Sequence, residues 1–228
     1  MRITETVLRR MIRRELLRET AVTPEEAQGM GVEFRIMKSS GGGARPQWSI
    51  IASTESYAGG TYRQAIINIV KPAKKQGKCN DAWEVIWSLS DIPKLGPLLY
   101  DIAMEIATLE GGGLMSDRAE VSQKARHVWQ KYARRSDIEY RQLDNLQNEL
   151  TPDTDEDNCQ QDSAEYDVLE QGLAAVSDFY LGLDRHDVPV AWEDSPLSKR
   201  YLKNKPSVII KLRDLGMIKA GSDMPKGL

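Results

Sequence analysis

Several residue types on which common chemistries depend are scarce in this chain. Two cysteines, Cys79 and Cys159, and two histidines, His127 and His186, occur in 228 residues. Clustered Cys and His ligands, the usual basis of a zinc site, are therefore missing. A Ser-His-Asp triad has only those two histidines as possible bases. A disulfide framework is not needed, because a chain of this length buries most of its apolar surface. The cysteines read as buried free thiols, with a disulfide or a catalytic thiol as the alternatives; no neighbouring residue favours a lowered thiol pKa. No apolar run approaches the roughly 18–20 residues that span a bilayer. Arginines interrupt each apolar stretch of MRITETVLRRMIRRELLRET, which does not fit a signal peptide. A soluble, intracellular-type protein without membrane association is expected.

Charge of one sign does not dominate either. The net charge of −3 gives no global argument for nucleic-acid binding. Positive charge gathers at residues 2–18 and 71–78, but aromatic residues are not interleaved with it as stacking platforms require. Negative charge gathers at 153–167. Asp153, Asp155 and Asp157 have the alternate spacing of a calcium loop, yet Asn158 replaces its glycine and Ala164 its closing glutamate, so the stretch reads as a solvated linker. Gly41-Gly42-Gly43 is followed by no Gly-Lys-Ser/Thr, which rejects a P-loop.

What is present is strong periodicity. Val7, Leu8, Met11, Ile12, Leu16 and Leu17 form one apolar face over residues 4–19, capped by Thr4 and surrounded by arginines. This amphipathic helix reads as packed on its own domain or as a docking helix for a protein partner. Thr23-Pro24-Glu25-Glu26 has the order of a helix start, and Gly29 ends it. Alternation predicts strands at Val32–Ile36, Trp48–Thr54, Tyr62–Val70 and Ala82–Leu89. Leu98, Leu99, Ile102, Ile106 and Leu109 mark a helix opened by Pro97 and closed by Gly111-Gly112-Gly113. A short strand at Leu114-Met115, a helix capped by Asp117 with Glu120, and a strand at Ile138–Leu143 follow. Asp117 alternatively pairs with Arg118, beside Ser122. After an acidic linker, Tyr166–Leu183 has helical periodicity. Residues 195–201 read as a loop entering a short helix, and Pro206–Leu215 as a last helix.

The expected fold class is α/β (α+β): a mixed, mostly antiparallel central sheet flanked by helices. The expected organisation is an N-terminal amphipathic helical segment (1–29), an α/β core (30–150), an acidic linker (151–165) and a mainly helical C-terminal extension (166–228). The turn from Lys94 to Leu98 is the main candidate for chemistry. A helix N-terminus presents unpaired N–H groups and partial positive charge, and a glycine there lets an anion approach the backbone. Pro97 removes one donor; those of Leu98 and Leu99 are expected to remain.

The stretches AWEVIWSLSDIPKLGPLLYDIAMEIA and GGGLMSDRAEVSQKARHVWQKYARRSDIEY, taken in that order, resemble the GNAT superfamily of N-acetyltransferases over roughly residues 30–145. The resemblance implies a turn after the fourth strand that binds the pyrophosphate of acetyl-CoA. Its cofactor-binding residues here would be Ser88, Lys94, Leu95, Gly96, Pro97, Leu98 and Leu99. It also implies Tyr132 as the acid that protonates the leaving thiolate, where the alternative is a core tyrosine. Glu84 would be the base, where the alternative is an exposed strand carboxylate. More narrowly, GPLLYDIAMEIA, LMSDRAEVS, DEDNC and SPLSKRY are similar to segments of tailed-bacteriophage proteins, some of them acetyltransferase-like. The opening MRITETVLRRMIRRELL resembles a leader-like helix on marine phage proteins. The functions implied are an acyl-CoA-dependent N-acyltransferase or, because the turn has one glycine and no helices fit between Met37 and Trp48, a non-catalytic virion-associated protein on the same scaffold. The expected location is the host cytoplasm or the virion, with virion components as possible partners.

Overall fold

The computed structural model describes residues 22–39, 45–54, 63–71, 81–117, 121–143 and 195–228. The helix expected at 4–19, the glycine triplet at 41–43, both cysteines, the acidic linker and the helix expected at 166–183 lie outside these residues.

Helix α1 (Pro24–Gly29) begins as its sequence demands. Thr23 Oγ1 accepts from the Glu26 N–H at 3.2 Å, and Glu26 Oε2 accepts from the Thr23 N–H at 2.8 Å, a reciprocal cap. Strands β1 (Val32–Ser39), β2 (Gln47–Thr54), β3 (Arg63–Val70) and β4 (Trp83–Ser90) then form an antiparallel meander. The register aligns Ile36, Ile50, Ile67 and Ser88 in one cross-strand row, and Arg35, Ile51, Ile66 and Leu89 in the next. Successive side chains alternate across a strand, so the first row faces inward and the second outward. Phe34, Ile36, Trp48, Ile50, Ile67 and Ile69 are fully buried on the inner face. Helix α2 (Gly96–Leu109) packs there, and Ile102, Ala103, Ile106 and Ala107 are solvent-free.

Strand β5 (Leu114–Met115) runs parallel to β4 but pairs with it only as Trp83↔Leu114 and Glu84↔Met115. Helix α3 (Gln123–Tyr132) and strand β6 (Glu139–Gln142) follow. The C-terminal stretch supplies a single 3-10 turn (Pro196–Ser198), strand β7 (Lys199–Leu202) and helix α4 (Ser207–Asp214). The seven strands lie in the order β1-β2-β3-β4-β5-β7-β6. The fold is thus mixed α/β with a mostly antiparallel sheet, as expected. No helix among the described residues is long and apolar enough to cross a membrane.

Two expectations need correction. Residues 195–201, read as a loop entering a short helix, are a 3-10 turn that runs into strand β7. β7 inserts between β5 and β6, and the chain after α4 covers the β1 edge, with Phe34 N–H donating to Met217 O and Lys219 N–H to Phe34 O, both at 2.8 Å. Lys199-Arg200-Tyr201-Leu202 lacks apolar alternation, and its partners are distant in sequence, so local pattern did not mark it. Asp117 does not cap α3. Ser122 does, its Oγ accepting from the Ala125 N–H at 3.3 Å.

Beyond Met115 no strand of the described residues lies against that edge of β4. Side chains bridge the gap instead. Ser88 Oγ on β4 meets the Tyr100 hydroxyl on α2 at 3.0 Å. Tyr100 meets Trp129 of α3 edge-on at 5.5 Å, and Trp129 stacks on Tyr201 of β7 at 5.3 Å. Beneath them a buried carboxylate ties α2 to α4. Glu105 is solvent-free, accepts from the N–H groups of Val208 (2.9 Å) and Ile209 (2.8 Å), and pairs with Lys203 at 2.9 Å. It thus caps a helix that has no side-chain cap of its own. Asp101, one turn earlier, binds Arg135 at 2.7 Å.

Two substitutions test these joints. Glu105→Ala strips the α4 cap and leaves Lys203 buried without its nearest carboxylate, so urea denaturation should show a loss of about 3–5 kcal/mol. Gly112 has φ +95, and a Cβ there would lie 2.1 Å from Asp81 O. Gly112→Ala should therefore lower stability by about 3 kcal/mol or more in the same assay.

Candidate functional site

The parting of β4 from β5 leaves a groove of about 530 Å³, within the range of small-molecule sites. Its walls are the far half of β4, the turn into α2, the first turn of α2, and one face of α3. The turn is built by burial: Ile92 and Leu95 anchor it in the core while Pro93 and Lys94 stay at the surface. Ser90 Oγ donates to Ile92 O at 2.7 Å, and Lys94 adopts a left-handed φ of 63°.

The expected site residues divide. Ser88, Lys94, Gly96, Pro97 and Leu99 line the groove. Leu95 and Leu98 are buried beneath it. No side chain caps α2. The Leu99 N–H, expected to be available, donates to Leu95 O at 3.1 Å; the donors at the helix start are therefore those of Gly96 and Leu98. A Cβ on Gly96 would meet nothing within 4 Å, and its φ is not positive. Neither conformation nor packing among the described residues explains a glycine here.

Tyr132 does not line the groove. It is buried, and its hydroxyl donates to Pro97 O at 3.3 Å. Burial first, then the neighbouring Asp101, pushes its pKa well above the usual tyrosine value. Its place is the alternative that the sequence left open, a core tyrosine. Glu84 is buried too, at the last residue pair before the strands part, with Arg45 at 3.9 Å. It stands at the apex of the parting and does not line the groove.

Other groove residues escaped the sequence reading. Tyr100 lies one helical turn after Gly96, with its hydroxyl on Ser88. Burial is the main cause of its raised pKa, with Asp117 adding to it and the Ser88 hydrogen bond opposing it. Lys124, His127 and Lys131 enter from α3 at helical spacing. His127 Nδ1 lies 2.6 Å from Gln123 O. The lining contains three lysines and no Asp or Glu. That spacing is the one signal that could have found the α3 residues. Chemically, the arrangement offers two backbone donors, cationic side chains, a hydroxyl pair and a strand edge with no strand partner among the described residues. It suits an extended anionic molecule that carries amides.

No family model, no curated protein and no solved structure matches the chain.

The buried tyrosines dictate an alkaline response. A group whose folded pKa is raised stabilises the fold fully below its unfolded value and loses that contribution as pH rises. Tyr132, Tyr100 and Tyr201 all shift upward, burial first among the causes. Stability should therefore fall above pH about 10, where unfolded tyrosine ionises. Tyr132→Phe should remove part of that slope and, below pH 10, lower stability by only about 1 kcal/mol, read by urea titration across pH.

Proposed function

We propose that this protein is a GNAT-like acyl-CoA-dependent N-acyltransferase whose donor lies in the groove between β4 and α3. The observation that carries the reading is the parting of parallel strands β4 and β5 after two residue pairs, ending on an uncapped helix start at Gly96. The resemblance over residues 30–145 supports it independently. Acyl-CoA supplies an acyl group already activated as a thioester.

The chain's own residues fit such a donor. The N–H groups of Gly96 and Leu98 would receive the pyrophosphate, helped by the partial positive charge of α2. Gly96 lets the phosphate approach the backbone, and Lys94 and Lys131 add charge. The edge of β4 from Val85 to Ser90, which has no strand partner among the described residues, offers alternating donors and acceptors to the two amides of the pantetheine arm, as a sheet edge does to an added strand. The bulge at Ile86, the extra residue between Asn68↔Trp87 and Ile69↔Val85, bends β4 beside the groove.

A second reading is favoured by one specific observation: the expected proton donor Tyr132 is buried, and its hydroxyl is engaged with Pro97. On this reading the same scaffold binds without catalysis, as a component of a phage particle. It is separated from the first by turnover and by co-purification with virions.

Calorimetric titration with acetyl-CoA tests the main reading. Binding by the wild-type chain is expected. It should be lost in Gly96→Glu, whose carboxylate would occupy the phosphate site, and weakened at least tenfold in Lys94→Glu. Gly96→Ala should leave the melting temperature unchanged, since the space beside Gly96 is open. Absence of heat with the wild type, or equal heat with Gly96→Glu, would overturn it.

A further inference from the structure

β1 is the outermost strand of the sheet among the described residues, and the segment after α4 lies along its outer edge. The backbone groups that point outward from β1 are those of alternate residues, Phe34, Ile36 and Lys38. Phe34 N–H donates to Met217 O and Phe34 O accepts from the Lys219 N–H, both at 2.8 Å, around a single parallel bridge at Ile218. Strand pairing stops there. The chain turns at Ala220-Gly221, with the Ser222 N–H on Lys219 O at 3.2 Å and Gly221 at φ +78. Beyond the turn, side chains take the strand donors. Ser222 Oγ accepts from the Ile36 N–H at 3.3 Å and Asp223 Oδ2 from the Lys38 N–H at 2.7 Å. The Asp223 N–H donates to Ile36 O at 2.8 Å, and Lys219 pairs with Glu33 at 2.7 Å. A regular strand in this place would present a fresh edge of its own. A bent segment with side-chain acceptors ends the sheet instead.

The edge beneath it is self-complementary. Two β1 strands meeting antiparallel must set outward-pointing residues opposite one another. With Phe34 on the two-fold axis, Phe34 meets its own copy and Val32 meets Ile36, all three buried on the inner face. On the outer face of the same register Glu33 meets Arg35, so opposite charges lie across the junction. An axis at Arg35 sets that arginine against itself. An axis at Ile36 sets Phe34 against Lys38 and Glu33 against Ser39. Of these three registers, the one centred on Phe34 suits both faces.

We propose that residues 217–223 are an intramolecular guard on a dimerisation edge. When they are displaced, β1 pairs antiparallel with β1 of a second copy of this chain, centred on Phe34, and the two sheets become one. The contact is isologous and uses each edge once, so association stops at the dimer. The guard hinges on Gly216, which is exposed, has φ +69 and would place a Cβ in open space. Strands β2 and β3 separate β1 from the groove strand β4, so this device is independent of the acyl-transfer reading.

The test uses the full chain, with mass from light scattering and folding from circular dichroism. Proline holds φ near about −65°, so Gly216→Pro redirects the guard without altering β1. Wild type should be a monomer and Gly216→Pro a dimer at about 100 μM chain. Adding Arg35→Glu sets carboxylates against each other at the junction and should weaken the dimer at least about tenfold. Adding Glu33→Arg to that variant should restore it. Gly216→Pro also removes the N–H that bonds Arg213 O at the end of α4, so a second variant accompanies it. Lys219→Pro with Asp223→Pro removes the donors to Phe34 O and Ile36 O and the Asp223 acceptor, and keeps Met217 in place. It should give the same dimer about tenfold or more weaker, because the remaining holds must still be displaced. A folded Gly216→Pro chain that stays monomeric, or a dimer indifferent to Arg35→Glu, overturns the proposal. So do assemblies larger than a dimer, or a wild type that dimerises as strongly as Gly216→Pro. Loss of folding in both variants would make the segment part of the core and overturn it as well.

Discussion

Strands β4 and β5 run side by side for two residue pairs and then separate, and the groove exists because of what holds them apart. Three aromatic rings and one hydroxyl contact, Ser88 to Tyr100 to Trp129 to Tyr201, span from β4 to β7 where β5 has ended. The span stays open because its rings are buried and packed edge-on or stacked, which fills the space with apolar contact on the core side and leaves hydroxyls on the groove side. A continued β5 would close the sheet and leave the β4 edge fully paired.

The rest of the architecture fixes the two ends of that span. On the β5 side, Gly113 N–H donates to Ala107 O and Gly113 O accepts from the Trp83 N–H, and the strand begins after two glycines, Gly112 close against Asp81 and Gly113 close against Tyr201. On the α2 side, Glu105 and Asp101 are held by α4, Lys203 and Arg135. Glu105–Lys203 is a buried charge pair, whose own contribution to stability is small once desolvation is counted but whose breakage is costly; Asp101–Arg135 is partly exposed and contributes less. They orient α2, and therefore point its uncapped start at the groove.

Much of this was legible before any coordinates. The meander of β1 to β4 shows as alternation because one face of each strand is buried and the other is not. Helix α2 shows as a 3.6-residue stripe between Pro97 and the glycine triplet. The turn at Lys94–Leu98 was visible for the same reason, and it does line the groove. What local pattern could not carry is what depends on distant partners. β7 has only Tyr201 fully buried and gains its strand character from β5 and β6, more than fifty residues away. Tyr132 and Tyr100 both lie on apolar helix faces in the sequence; only the fold puts the Tyr100 hydroxyl on Ser88 at the groove and the Tyr132 hydroxyl on Pro97 O in the core. Ser122, not Asp117, caps α3, its Oγ taking the Ala125 N–H; Ser, like Asp, suits a cap, and local pattern alone did not choose between them.

The most direct measurement is backbone hydrogen–deuterium exchange of the full chain with and without acetyl-CoA. Protection gained at those amides of Val85–Ser90 that point away from β3, and at Gly96 and Leu98, is expected, because these are donors for which no strand or helix partner occurs among the described residues. Protection that appears elsewhere and spares both segments, or none at saturating ligand, would contradict a groove formed by the parting of β4 and β5 as the binding site.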